Sequence, residues 1–378
     1  MTSKNAKRII SLVLVFVLAF SVSVFAYADN DETADNVVYE NEEDIPVLHS
    51  DPDDFVLDDN WKPYDPDLFE NDMPARDETW VRKGGLESYS NGANCYAEGF
   101  AVGTGYCYSI DQDQESSHYL YRKNMNNNSD AELMTPVGTI DNLKHANSMA
   151  LATYTDNNSV VHRYLFVLAN SSDGSNSYII KLEYDGLNYW QVARYNLFSY
   201  FSNISKIKYY TNAFNTPMIQ FLLGNNTEYY TIAVQRVQTG THYLVATHRF
   251  DITIPQQYIN YANQNAYYDS GKLYVLRYGF NSNPNIPNPL KPKENVVIVY
   301  NGIDNAISSL IINTLSSTKS VEIKTNDSST ALFEIEGIGF PVNNPNLDCD
   351  RLWFNTNEKI SNTVRKDGGI YADTQNIK

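Results

Sequence analysis

One short pattern recurs five times along this chain of 378 residues and constrains its fold more than any other feature. Each copy is a polar residue, then a mostly small residue, then an apolar residue that leads into a strand-like run. Successive copies are separated by 49, 58, 60 and 71 residues, a spacing that suits a radial repeat of four-stranded sheets. The sequence therefore predicts an all-β fold, a five-bladed β-propeller, with six blades as the alternative. The five copies are Glu98-Gly99-Phe100, Asn147-Ser148-Met149, Ser205-Lys206-Ile207, Asn265-Ala266-Tyr267 and Glu336-Gly337-Ile338.

The first 28 residues have the three parts of a secretory signal peptide. Basic residues precede the apolar run Ile9–Phe25, and Ala26-Tyr27-Ala28 offers small residues where a signal peptidase cuts. We expect cleavage after Ala28, which predicts a secreted, extracellular protein without a transmembrane anchor. The alternative is an uncleaved anchor, because the run is close to the roughly 18 residues that span a bilayer.

Charge is concentrated just after this signal. Residues 29–79 contain 19 acids and two bases, a net charge of −17, whereas residues 80–378 hold 26 acids and 23 bases. So acidic a segment with few aliphatic residues cannot bury enough surface to fold, which predicts a disordered spacer over 29–79 and a propeller over 80–378. A calcium-binding or partner-binding tail is the alternative at Asp51-Pro52-Asp53-Asp54. The acidity argues against nucleic acid as a partner.

The second unit shows how each blade is predicted. The strand-like runs open at Ala146, continue through Tyr164–Leu168 and Ser177–Leu182, and turn at Asp185-Gly186 into a fourth strand. In the fourth unit, residues 281–292 hold four prolines, which predicts an inserted loop. The fifth unit is one strand short at its end. We expect Trp80–Tyr89 to complete it, because an open ring would leave bare strand edges.

Three of the openings resemble the innermost strands of propellers of the gluconolactonase, strictosidine-synthase and NHL type, a resemblance that covers roughly residues 95–372. They are Ala97-Glu98-Gly99-Phe100, His145-Ala146-Asn147-Ser148-Met149 and Ile335-Glu336-Gly337-Ile338-Gly339-Phe340. In gluconolactonase-like members, polar residues that head the inner strands bind a divalent cation near the axis. By position, the resemblance implies Glu98, Asn147, Asn265 and Glu336 as metal ligands. The chain departs from that family in having five units rather than six and no obvious axial aspartate as base.

The chemistry of this set is consistent with a cation. Two carboxylates and two amide oxygens form an all-oxygen site, which suits Ca²⁺ or Mg²⁺ rather than zinc. His145, two residues before Asn147, extends the predicted ligand-binding set. The alternative is that these polar groups only hydrogen-bond to one another, and that glycine follows glutamate because the inner strands crowd together.

No catalytic motif stands out: the chain has no Gly-x-Ser-x-Gly elbow, no His-Glu-x-x-His and no phosphate loop. The prediction is a secreted binding module that recognises a cell-surface or extracellular ligand at the axial mouth or one rim, with a carbohydrate or cell-wall component as the candidate ligand. Two alternatives stay open: a divalent-cation-dependent hydrolase or lactonase built on the axial Glu and Asn residues, and a structural envelope protein.

Aromatic residues and cysteines complete the expectations. Adjacent aromatic pairs such as Tyr189-Trp190 invite a sugar-stacking interpretation, but packing between blades explains most of them. The three cysteines are Cys95, Cys107 and Cys349. Either one disulfide closes the seam between the first and last units, or all three are reduced and packed in the sheets.

Overall fold

A computed structural model describes most of the chain from Trp80 onwards. The predicted signal peptide (1–28), the acidic segment (29–79), the proline-rich loop (281–292) and Cys95 lie outside the described residues. Within the described ranges, no helix combines the length and apolarity needed to cross a membrane. The described residues are 80–86, 96–112, 117–143, 145–155, 159–170, 177–197, 199–211, 217–236, 242–279, 294–309, 311–325, 332–342, 344, 346–359 and 365–378.

These residues form 21 strands in chain order, with one short α-helix (α1, Ile303–Ser308) and one 3-10 turn (Gln256–Tyr258). The first eleven strands are β1 (Trp80–Gly85), β2 (Tyr96–Val102), β3 (Tyr106–Gln112), β4 (His118–Asn124), β5 (Glu132–Leu133), β6 (Thr135–Pro136), β7 (His145–Thr155), β8 (Val161–Asn170), β9 (Ser177–Asp185), β10 (Asn188–Asn196) and β11 (Asn203–Thr211). The others are β12 (Pro217–Asn225), β13 (Glu228–Arg236), β14 (His242–Thr253), β15 (Ala262–Asp269), β16 (Lys272–Tyr278), β17 (Glu294–Asn301), β18 (Asn313–Lys324), β19 (Leu332–Gly339), β20 (Arg351–Lys359) and β21 (Arg365–Asn376).

The sheet order is that of a five-bladed propeller. Blade 1 is β2 to β5, blade 2 is β7 to β10, blade 3 is β11 to β14, blade 4 is β15 to β18, and blade 5 is β19 to β21 with β1 on its outer edge. The innermost strands β2, β7, β11, β15 and β19 each contact the next, and β19 contacts β2. The ring is therefore closed. The prediction of an all-β, five-bladed propeller is confirmed, in the described residues, against the alternative of six.

The hydrophobic core lies between the blades, because each blade is a sheet that buries both faces. Five apolar clusters fill the five seams, one for each pair of neighbouring blades. Aromatic rings supply much of this area: Phe166 of blade 2 meets Phe221 of blade 3 edge to face at 5.7 Å. Packing between blades is thus what the aromatic residues of this seam provide.

The last blade is completed by the start of the described chain. β1 pairs antiparallel with β21, and Trp80 faces Asp373 across the pair. Trp80 also stacks on Phe333 at 5.0 Å and donates a hydrogen bond from Nε1 to the carbonyl of Lys324. The predicted closure of the ring by Trp80–Tyr89 is confirmed as far as Gly85.

Two features differ from the sequence-based prediction. The hairpin of blade 2 turns through Gly186-Leu187 rather than Asp185-Gly186, because Asp185 pairs with Asn188, and only Gly186 has a positive φ of 60°. The outer strands of blades 3 and 4 also join: β14 pairs in parallel with the first residues of β18, from Phe250 opposite Asn313 to Thr253 opposite Ser316. Blades 3 and 4 therefore form one eight-stranded sheet.

Cys107 and Cys349 are both free cysteines. Cys107 is fully buried between blades 5 and 1, and burial raises the pKa of its thiol to about 12. Its environment fits a small apolar packing residue rather than a reactive thiol.

Candidate functional site

All five inner strands carry a β-bulge within their first five residues. In blade 1 the ladder jumps from Ala97 to Phe100, and in blade 5 it jumps from Ile335 to Gly337. Equivalent jumps occur in the other three inner strands. Because the inner strands run in the same direction, the bulges lie at one end of the ring, which we call the axial mouth. Its bulge residues include Glu98, Asn147, Ser205, Gln264 and Glu336.

The repeated sequence pattern marks these bulges. In four blades, the polar residue that opens the pattern is itself a bulge residue: Glu98, Asn147, Ser205 and Glu336. A bulge inserts a residue and bends the strand, which re-aims side chains and is common beside functional sites. The polar-small-apolar pattern therefore predicts a local backbone irregularity as well as the start of a strand.

Glycine occurs in the pattern where the inner strands approach most closely. A Cβ added at Gly99 would lie 2.6 Å from the carbonyl oxygen of Ala146, and one at Gly337 would lie 2.4 Å from the Cβ of Phe100. The expectation that glycine follows glutamate because of crowding is confirmed at both positions.

Glu98 and His145 meet across the seam between blades 1 and 2. The His145 Nδ1 lies 3.5 Å from Glu98 Oε1, with the imidazole 51% exposed and the carboxylate 12% exposed. The hydrogen bond to Glu98 raises the pKa of His145, against a smaller opposing effect of burial. The two predicted site residues therefore form one titratable pair at the mouth.

Glu336 is held by a residue that the sequence analysis did not single out. Asn357, on β20, donates from Nδ2 to Glu336 Oε1 at 2.5 Å. The neighbouring carboxylate, Glu334, accepts a hydrogen bond from Nε2 of Gln264 in blade 4 at 2.5 Å. Burial raises the pKa of the buried Tyr278 phenol, and the charges of Glu334 and Glu336 raise it further. The mouth is thus rich in carboxylates on the side of blades 5 and 1.

Asn147 and Asn265 are joined, but by a contact that crosses the ring. Asn265 is only 2% exposed and donates from Nδ2 to the carbonyl of Asn147 at 3.1 Å and to Ser148 Oγ at 3.3 Å. Blades 2 and 4 are not neighbours, so this side chain spans the narrow axis. The bulge residue of blade 4 is the preceding residue, Gln264, which the sequence analysis missed because the pattern aligns one position later.

The predicted metal set is only partly connected. Asn265 contacts Asn147, while Glu98 and Glu336 contact His145 and Asn357 respectively. In the part of the chain that the structure describes, no three His, Cys, Asp or Glu side chains converge as a metal site. Binding of Ca²⁺ or Mg²⁺ by Glu98, Asn147, Asn265 and Glu336 stays a prediction.

No protein-family model and no curated protein matches this chain. Of the resemblance to gluconolactonase-type proteins, the structure supports the propeller fold. Solved structures with similar folds include an exo-β-1,3-galactanase from Phanerochaete chrysosporium with β-1,3-galactotriose, at 10% identity and a TM-score of 0.40, over 78% of this chain and 64% of that chain.

Another is an exo-β-1,3-galactanase from Clostridium thermocellum, at 9% identity and a TM-score of 0.38, over 78% of this chain and 62% of that chain. A third is a putative exo-β-1,3-galactanase from Bifidobacterium bifidum, at 8% identity and a TM-score of 0.37, over 78% and 92% of the two chains. The chain spans less than two thirds of the length of the first two. The assignment of a propeller here rests on sheet order and ring closure.

Proposed function

We propose that this protein is an extracellular binding module that recognises a glycan at the axial mouth. The proposal is supported by the β-bulges of the five inner strands. They lie at the same end of the ring and bring carboxylate, amide and hydroxyl groups together there. Sugar hydroxyls both donate and accept hydrogen bonds, and these groups supply both partners. Specific small-ligand sites are concave and contain a few convergent polar groups of this kind.

Binding is best tested with the full chain on immobilised glycans and, for each hit, by calorimetry with the soluble oligosaccharide. The panel includes β-1,3-galactotriose and cell-wall oligosaccharides. We expect Glu98→Gln and Glu336→Gln each to weaken binding by about tenfold or more, because a hydrogen bond to a charged group contributes about 1.5–3 kcal/mol.

The matched control is Glu132→Gln. Glu132 is an exposed glutamate on β5, paired with Arg122 at 3.2 Å at the periphery of blade 1. Its substitution changes charge by the same amount without touching the mouth, so affinity should stay at the parent value. Equal binding by the parent, Glu98→Gln and Glu336→Gln would refute the axial site.

Hydrolysis of a glycosidic bond is the second candidate function. It is favoured by the two carboxylates on adjacent blades, which have different partners: Glu336 accepts from the Asn357 amide, and Glu98 pairs with His145. Glycosidases use two carboxyl groups, one as the acid and the other as base or nucleophile. Unequal environments are what separate such roles.

Turnover distinguishes the two candidates. If the protein is a glycosidase, incubation with a bound oligosaccharide releases reducing ends, and Glu98→Gln and Glu336→Gln each slow release by about 100-fold or more. A protein that retains oligosaccharides on a column and releases no product is a binding module.

A further inference from the structure

Two asparagines of β20 connect the last blade to the first. Asn357 is 4% exposed, accepts a hydrogen bond at Oδ1 from the Ala97 N–H at 2.7 Å and donates from Nδ2 to the Ala97 carbonyl at 3.1 Å. Asn355 donates from Nδ2 to the carbonyl of Glu98 at 3.2 Å and to Ser109 Oγ at 2.9 Å. Together they hold the backbone of Ala97 and Glu98, where the blade 1 bulge begins.

Asn357 also contacts a carboxylate of its own blade, that of Glu336. The same Nδ2 that bonds to the Ala97 carbonyl donates to Glu336 Oε1. The amide group thus contacts the backbone of the residue before Glu98 and the side chain of Glu336. Glu98 and Glu336 are 238 positions apart in the chain, and the seam between blades 5 and 1 separates them. The Asn357 side chain therefore fixes the Glu336 carboxylate relative to strand β2, which carries Glu98.

A third asparagine provides the comparison. Asn295 on β17 is fully buried, accepts at Oδ1 from the Ile335 N–H at 2.9 Å and donates from Nδ2 to the Phe333 carbonyl at 3.0 Å. It ties blade 4 to blade 5 by one N–H and one carbonyl bond, as Asn357 does, but to two residues of β19 rather than to one residue. Among its hydrogen bonds none is to a carboxylate; its remaining partner is the carbonyl of Ile323. The backbone clamp therefore recurs at two seams, and contact with a carboxylate of the mouth distinguishes Asn357.

We propose that Asn357 is a positioning residue, which fixes the Glu336 carboxylate relative to Glu98 across the seam between the first and last blades. Its consequence for ligand affinity rests on the proposed function of the axial mouth. An amide N–H that donates to a carboxylate also selects one rotamer of that side chain, and a preorganised acceptor binds more tightly because less freedom is lost on binding.

The contact itself is tested without any ligand, by a double-variant cycle in thermal unfolding of the full chain. The cycle combines Asn357→Ala with Glu336→Ala, and a control cycle combines Asn295→Ala with Glu336→Ala. We expect the first double variant to lose less than the sum of the single losses, by about 2 °C or more, and the control cycle to be additive. Additivity in the first cycle would overturn the proposal, since residues that do not interact contribute independently.

Binding separates a positioning role from general support of the seam. Both asparagine variants lose two backbone hydrogen bonds across a seam, and Asn295→Ala loses a third within its own blade, but only Asn357→Ala also removes the amide donor to Glu336 Oε1. Glycan affinity should fall by about tenfold in Asn357→Ala and by less than about twofold in Asn295→Ala. Equal losses would overturn the positioning role, because seam integrity alone would then explain them.

Two outcomes need a further step: an Asn357→Ala variant that does not fold, and a parent protein that binds no glycan. If Asn357→Ala does not fold, Asn357→Asp replaces it: this variant keeps the oxygen that accepts from the Ala97 N–H and exchanges the donor for a carboxylate oxygen that repels Glu336, so adding Glu336→Ala should then recover stability. If the parent binds no glycan on the panel, the proposed function fails, and the unfolding cycles still decide whether Asn357 holds Glu336.

Discussion

At the scale of single residues, the pair of His145 and Glu98 gives a prediction about pH. The hydrogen bond to Glu98 raises the pKa of His145 in the folded protein above its ordinary value of 6.5. The protonated imidazole therefore contributes stability that is fully present below the pKa of the unfolded chain, and this contribution is lost as the pH rises through the raised folded pKa. Because the imidazole is half exposed, solvent screening keeps the effect on stability small.

An NMR titration of the imidazole resonances tests this pair. We expect the His145 midpoint to lie above 6.5 in the parent and to move down in Glu98→Gln. His248 serves as an internal control, because burial lowers the pKa of its imidazole and Glu98 has no part in that shift. A His145 midpoint that stays in place in Glu98→Gln would show that the carboxylate does not act on it.

Gly337 gives a prediction about crowding at the axis. A Cβ at this position would lie 2.4 Å from the Cβ of Phe100 and 2.9 Å from its backbone nitrogen, so the two inner strands must move apart. We expect Gly337→Ala to destabilise the protein by about 1–3 kcal/mol, as overpacking does, measured by urea unfolding. Gly186→Ala is the comparison, because nothing lies within 4 Å of its added Cβ and only its φ of 60° is unfavourable. A Gly337→Ala variant as stable as the parent would contradict the close approach of blades 5 and 1.

Single residues of the mouth could be predicted where the chemical type of a side chain also indicates its place in the strand. The places of Glu98 and Glu336 were predictable because the repeated pattern puts a polar residue at the head of each inner strand; their role as ligand-binding residues stays a prediction. The place of Gln264 was not predictable, because Asn265 next to it fits the pattern equally well and only the ladder shows which residue is extra. Asn357 was also missed, although polar residues inside the otherwise buried run after Phe354 were a usable signal: buried amides need partners on a neighbouring strand.

At the scale of strands, the closing strand β1 gives the next prediction. Trp80 is 9% exposed, stacks on Phe333, meets Tyr371 edge to face at 4.8 Å and bonds to Lys324 of blade 4. We expect Trp80→Ala to cost about 3–5 kcal/mol of stability, the range for a large aromatic removed from a core, measured by denaturant unfolding.

The comparison for β1 is Trp190→Ala, since Trp190 is partly exposed on the outer strand of blade 2. If Trp80→Ala costs no more than this control, β1 does not hold the ring closed. A variant with a detached β1 also exposes the edge of β21, and association visible by size-exclusion chromatography is expected because bare edges recruit other strands.

The strands themselves were largely predictable, since alternation and turn residues are local signals. The turn at Ser270-Gly271 is an example: Asp269-Ser270-Gly271 between two apolar runs indicates a tight hairpin, and the φ values of 49° and 79° at Ser270 and Gly271 fit one between β15 and β16. The parallel junction of β14 with β18 was not predictable, because it depends on how two blades pack rather than on either sequence. Helix α1 was also missed, since six residues are too few to show a helical period.

At the scale of the whole molecule, we predict that a divalent cation bound at the axial mouth stabilises the closed ring. Glu98 and Glu336 belong to the first and last blades, so a bound Ca²⁺ or Mg²⁺ that they share would stabilise closure. A ligand that binds only the folded state at 100 times its dissociation constant adds about 2.7 kcal/mol, which corresponds to a rise in melting temperature of about 5 °C for a domain of this size. We expect such a rise for one cation over EDTA in the parent protein, and its loss in Glu98→Gln and Glu336→Gln.

The cation experiment needs a control variant, because the 19 acidic residues of the segment 29–79 can also bind divalent cations weakly. Glu132→Gln removes one carboxylate away from the mouth, so its response to the cation should equal that of the parent. A rise that persists unchanged in Glu98→Gln and Glu336→Gln assigns the cation to carboxylates outside the mouth, residues 29–79 among them. Identical melting temperatures of the parent in EDTA, Ca²⁺ and Mg²⁺ would instead remove the metal from the mouth, and with it the cation-dependent hydrolase. The ring would then be closed without a cation, by β1, the asparagine clamps and the apolar cluster between blades 5 and 1.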